Sequence, residues 1–94
     1  KMKQEYEFNN KKYIIEKDEN NLFDYEQLKE LVTNYFDNFD YIFIDEAYNK
    51  IRLKGFNEKD NKGYKKSNDI KSLNDYIENY CAYKCRWCLL KKVK

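Results

Sequence analysis

The sequence predicts an α+β fold: one small domain, residues 1–94, with a mostly antiparallel sheet of about five strands and two amphipathic helices in the order β-β-α-β-β-α-β. Three observations predict it. Short runs rich in Tyr, Ile and Phe come in pairs separated by turn-forming residues. Two longer segments repeat apolar residues at helical spacing. One Trp, ten Tyr and six Phe in 94 residues supply enough apolar ring surface to argue against a disordered chain.

The first pair is Glu5–Phe8 and Lys12–Glu16, with Asn9-Asn10 between them. Asn tolerates the positive φ that a tight hairpin turn needs. Asp24 then offers a helix cap, with Gln27 three residues on. Tyr25, Leu28, Val32, Tyr35, Phe36 and Phe39 follow on one helical face, which predicts a helix from about Tyr25 to Asp37. Tyr41–Ile44 is too short an apolar run for a helix and reads as a central strand, with Asp45–Asn49 turning the chain in a longer loop. Lys50–Phe56 alternates: Ile51 and Leu53 face inward, while Lys50, Arg52 and Lys54 face water. Gly55 is expected to supply a bulge or a special backbone angle. Residues 57–69 are polar and read as a mobile loop. Ser72 is the expected cap of a second helix, with Asp75 at its third position and Leu73, Tyr76, Ile77, Tyr80 and Cys81 on its buried face. Tyr83–Val93 reads as the last strand.

Charge is divided along the chain. Residues 1–48 hold 6 Lys against 12 acids, and residues 49–94 hold 13 Lys and Arg against 5 acids. Such asymmetry points either to an anion-binding face or to two halves that neutralise each other on folding. No apolar run reaches transmembrane length and no leader pattern opens the chain, so the cytoplasm is the expected location and no membrane contact is expected.

Three motifs invite chemistry. Tyr41–Glu46 resembles the acid-tipped strand of nucleotide hydrolases, but no glycine-rich loop with Lys and Ser/Thr accompanies it, so Asp45 and Glu46 read as turn and solvated charge. Cys81, Cys85 and Cys88 have the Cys-x₃-Cys-x₂-Cys spacing of an iron–sulfur ligand set. Only six residues follow them, and a zinc site lacks its fourth Cys or His. Reduced cysteines packed as small apolar groups are the simpler expectation, with a redox role open because Lys84 and Arg86 stand nearby. No resident metal or cofactor is expected. Lys54-Gly55-Phe56 begins like an RNA-recognition signature, which ends at Asn57-Glu58.

Phe39–Ile42, Asp45, Tyr48 and Arg52-Leu53-Lys54-Gly55-Phe56, then Asp75-Tyr76-Ile77, Tyr80-Cys81 and Cys85, form two blocks whose order and spacing resemble the YutD-like family of small bacterial proteins. The sequence departs from that family's pattern at Ile44, Glu46 and Ala47, beside the strand-end Asp45, and at Cys88, which leaves a two-cysteine pattern. The resemblance implies a small α+β domain, a cytosolic protein and no catalytic residues.

The function expected is a non-catalytic binding module. Lys50, Arg52 and Lys54 on the strand, Lys65 and Lys66 in the loop, and Arg86 in the tail would meet a protein or an RNA surface, with Tyr48, Tyr64 and Trp87 supplying rings that stack or anchor. Lys59 and Lys62 add to the loop, and Lys84, Lys91, Lys92 and Lys94 to the tail. A homo-oligomer is also left open. The alternative is a thiol-dependent redox or metal-binding protein using Cys81 and Cys85, with Asp45, Tyr48 and Arg52 as companions. The chain has no His, so the commonest general base is missing.

Overall fold

The computed structural model describes residues 3–81 and 85–94. Five strands, β1 (Tyr6–Phe8), β2 (Lys11–Glu19), β3 (Tyr41–Ala47), β4 (Lys50–Phe56) and β5 (Arg86–Lys92), form one antiparallel sheet in the order β1-β2-β5-β3-β4. Two helices accompany it, α1 (Tyr25–Leu31) and α2 (Leu73–Tyr80). The element order is the one the sequence predicts. Among the described residues, no helix is long and apolar enough to cross a membrane.

Two hairpins set the register. Asn9 and Asn10 both take positive φ, 54° and 65°, as expected for a two-residue turn. The second hairpin differs from expectation. Instead of a longer loop over Asp45–Asn49, β3 continues to Ala47 and only Tyr48 and Asn49 turn, at φ 53° and 62°. The short turn keeps Asp45 and Glu46 inside the strand, paired with Arg52 and Ile51 of β4. β5 enters between β2 and β3, which makes β2, β5 and β3 the interior of the sheet and leaves β1 and β4 at its edges.

Alternation then divides the core in two. Ile42 and Ile44 of β3 face α1, in a cluster with Phe8, Tyr13, Leu28, Val32, Cys88 and Leu90. Tyr41 and Phe43 face the other way, with Phe56 and Leu89, and are covered by Leu73, Tyr76 and Ile77 of α2. Both faces of the sheet are therefore occupied. Lys54, expected to stand in water, lies against that second cluster, its ammonium 5.1 Å from the Phe56 ring and 5.6 Å from the Tyr76 ring.

The first helix is shorter than its apolar stripe. Asp24 caps it by accepting from the Gln27 amide at 3.3 Å, but the chain leaves the helix at Val32, whose φ and ψ are −84° and 93°. The Asn9 side-chain amide donates to the Val32 carbonyl at 2.5 Å, engaging an oxygen that a longer helix would offer to Phe36. The adjacent β-branched Val32 and Thr33 also favour extended backbone. A separate 3₁₀ turn, Asn34–Phe36, follows. Ser72 does not cap α2 with its side chain; its hydroxyl donates to the Asp69 carbonyl at 2.6 Å, while Asp69 accepts from the Lys71 amide at 2.9 Å and begins the turn that leads into the helix.

The segment after β4 is built rather than featureless. Asn57 and Asn68 are buried. Asn57 donates its amide to the Asn68 carbonyl at 2.7 Å, and its side chain accepts from the Asp40 amide at 3.0 Å. The Asn68 side chain accepts from the Lys65 amide and donates to the Gly63 carbonyl. Buried amides hold this segment where apolar side chains are few.

Candidate functional site

The register of the second hairpin builds the most unusual polar arrangement in the molecule. Asp45 and Arg52 are cross-strand partners on the face that carries α2. The Arg52 Nε–H donates to Asp45 Oδ1 at 3.0 Å and its Nη2 to Oδ2 at 2.5 Å, a bidentate fork. The same Nη2 donates to the Tyr80 carbonyl at 3.0 Å, at the end of α2. The Asp45 side chain is 2% exposed and that of Arg52 42%. The hydrogen bond to Asp45 raises the already high pKa of the guanidinium. Beside the carboxylate lie Cys81 and Cys85, joined as a disulfide, with Cys81 Sγ 3.5 Å from Asp45 Oδ2. These three residues bring their ligand atoms within 4.8 Å of one another.

The third cysteine is elsewhere. Cys88 pairs with Ile44 on β3 and is fully buried in the α1-side cluster. The Cys-x₃-Cys-x₂-Cys spacing therefore does not gather three sulfurs; strand alternation sends Cys88 through the sheet. Burial pushes its thiol up to about 12, and burial first and the Asp37 carboxylate second do the same to the Tyr13 phenol. A group that resists ionising only when folded stabilises the fold below its unfolded pKa and loses that contribution as pH climbs through the folded one. The urea midpoint is thus expected to fall steadily from about pH 9 toward 12, and Cys88→Ala should delay the onset to about pH 10, where Tyr13 takes over. An onset unmoved in the variant would contradict the assignment.

The other residues singled out in the sequence separate. Arg86 is used internally: its Nη1 donates to Glu46 Oε1 at 3.0 Å, its Nε to the Asn20 carbonyl at 3.0 Å and its Nη2 to the Asn21 carbonyl at 2.7 Å. Asn20 and Asn21 both have positive φ, which turns the chain beside this guanidinium. Tyr64 donates its hydroxyl to Asp69 at 2.7 Å, and that bond raises the phenol's pKa. Trp87 packs against Phe43, ring centres 5.5 Å apart, with the Lys17 ammonium over it. Lys65 and Lys66 are exposed at a 3₁₀ turn, and Lys50 and Tyr48 are exposed at the β3–β4 turn. Lys84 lies outside the described residues. The stripe read as three solvated cations is thus one exposed lysine, one arginine locked to a buried carboxylate and one lysine packed on rings.

Neither acid of the hydrolase-like strand end is a turn residue or a metal-ready carboxylate. Asp45 answers Arg52 and Glu46 answers Arg86, so the only two arginines of the chain are both held by one strand. The sequence carried a signal for this. A two-residue turn at Tyr48-Asn49 places residue 45 opposite residue 52.

Gly55 also has a different reason from the one expected. It has no positive φ, and the β3–β4 register runs through it without a bulge. A Cβ there would lie 2.3–2.4 Å from three atoms of the Phe39 ring. The glycine makes room for an aromatic ring laid on the strand.

At the opposite end of β3, loop and tail lysines do converge. Lys59, Lys91, Lys92 and Lys94 line an open cleft of about 490 Å³, but Asp40, Glu58 and Asp60 line it too. Tyr41 donates to Glu58 at 2.6 Å, Asp40 accepts from the Glu58 amide at 2.9 Å, and Lys92 donates to the Asp37 carbonyl at 2.6 Å. This cleft has mixed charge and internal partners, unlike the continuous positive groove that tracks a nucleic-acid backbone.

A family model described as "Putative antitoxin YutD-like" matches residues 7–91. The chain belongs to the YutD-like family. "Putative antitoxin YutD" of Bacillus subtilis (strain 168) is 32% identical over 72 residues, which cover 77% of this chain and 79% of that protein. The solution NMR structure of protein yutD from B. subtilis superposes with a TM-score of 0.81 at 26% identity, covering 100% of this chain and 86% of that one. The match agrees with the resemblance carried by the Phe39–Phe56 and Asp75–Cys85 blocks. In this YutD-like chain those blocks are the β3–β4 hairpin, α2 and the disulfide that meet around Asp45.

Proposed function

We propose that this YutD-like chain is a non-catalytic cytoplasmic binding protein whose β4 edge engages an extended acidic segment of a protein partner. The observation that carries the reading is the position of β4. It is hydrogen-bonded to β3 on one side and ends the sheet on the other. An open edge offers backbone donors and acceptors to an added strand. Lys50 stands exposed at the start of this edge and gives an incoming acidic strand a cation to meet there. Tyr48 and Tyr80, 92% and 61% exposed, provide large rings near its start. Tyrosine and arginine are the residue types that most often dominate protein interfaces. The description of the curated relative as an antitoxin fits a protein that works by binding.

A protein fits better than RNA. Arg52 and Arg86 have their guanidiniums committed to Asp45 and Glu46, and Tyr64 and Trp87 are engaged within the fold. The test is capture from native lysate, with and without nuclease, by the parent chain and by a variant carrying Tyr48→Ala and Lys50→Glu. Nuclease-resistant capture of a discrete protein that the variant binds at least roughly tenfold more weakly is expected, the size of one interface anchor. Capture abolished by nuclease, or equal capture by the variant, would sink the proposal.

A further inference from the structure

We infer that Cys81 and Cys85 form a dithiol–disulfide couple that exchanges with small-molecule thiols, and that Asp45 positions the Cys81 sulfur for it. This site is independent of the β4 binding reading. Four observations support it. The two cysteines are disulfide-bonded across four positions of sequence, one at the end of α2 and the other at the residue before β5. Both are partly exposed, so a small thiol can reach them. Asp45 Oδ2 lies 3.5 Å from Cys81 Sγ, in place to accept a hydrogen bond from that sulfur once it carries a proton. Cys88, which could compete for disulfide pairing, is sealed on the other face of the sheet.

The exchange balances without any further reagent. A small thiolate attacks one sulfur, the Cys81–Cys85 bond breaks, and the departing sulfur takes a proton. A second small thiolate attacks the small-molecule sulfur of the mixed disulfide, and the other protein sulfur leaves and is protonated. Two electrons and two protons pass from two small thiols to the protein, and one small disulfide is released. A metal site is the competing use of the same donors. It is disfavoured because Arg52 already occupies both Asp45 oxygens and sets a positive charge beside the position a cation would take.

The test is a redox titration of the purified chain in mixtures of reduced and oxidised dithiothreitol, with maleimide labelling under native conditions read by mass. Two labels are expected in the reduced state and none in the oxidised state, with Cys88 labelled only after unfolding. Cys88→Ala should titrate like the parent. Asp45→Asn should move the midpoint roughly tenfold toward the disulfide, because the reduced Cys81 loses a charged acceptor. Cysteines that stay labelled across the whole range, Cys88 labelling in the native state, or one zinc ion bound to the reduced chain that blocks its oxidation would each overturn the couple. A midpoint unmoved in a folded Asp45→Asn would overturn the role of Asp45.

Discussion

Gly55→Val is expected to destabilise the fold by about 3 kcal/mol, the upper end for overpacking a tight core. The Phe39 ring leaves no room for even one added carbon, at 2.3–2.4 Å, and the nearest atom is Cγ, close to the backbone of that residue. The ring cannot swing clear without leaving its contacts with Tyr35 and Phe36, at 5.7 and 6.2 Å between ring centres. Gly55→Ala should show a smaller form of the same loss, and combining either change with Phe39→Ala should cost less than the two single losses added. Urea denaturation measures all of these. A Gly55→Val chain as stable as the parent would show that the ring is free to move.

Arg52→Met is expected to cost about 3 kcal/mol, the low end for removing one partner of a buried ion pair. The low end applies because Arg52 is itself partly exposed, while the group left behind is not: the Asp45 side chain is 2% exposed and both its oxygens lose their donors. The variant also loses the bond from Arg52 to the Tyr80 carbonyl, which ties α2 to the sheet. Pairing Arg52→Met with Asp45→Leu should recover most of the stability, since two apolar groups leave no charge stranded. Equal instability of the single and double variants would mean that the pair serves some purpose other than neutralising Asp45.

The two arginines show where sequence reasoning stops. Periodicity on Lys50–Phe56 located the strand and its inward aliphatics, Ile51 and Leu53, which pack against the α1-side cluster. It could not say that the opposite face is covered. α2 lies far along the chain, and nothing local to Arg52 announces Tyr80. Asp45 escapes notice because reading the turn as a longer loop hides the pairing of residue 45 with residue 52. The charge imbalance between the two halves is resolved in part by pairing across β3, the second of the two readings it allowed. The first helix erred for a similar reason. Its apolar stripe is real, but a hydrogen bond from Asn9, 23 residues earlier, claims the carbonyl that would have continued it.

The sequence by itself determined the element types and their order, the Asn9-Asn10 turn, the family, and which aliphatics of β4 point inward. These depend on spacing along the chain and on the φ preferences of single residues, and both are local. Only the tertiary structure decided that β5 enters the middle of the sheet, that β4 is left as an edge, and that Asp45 sits buried between Arg52 and the Cys81–Cys85 disulfide. Those outcomes depend on which distant surfaces bury each other. No single segment encodes that choice, because it is fixed by the total burial of both sheet faces at once.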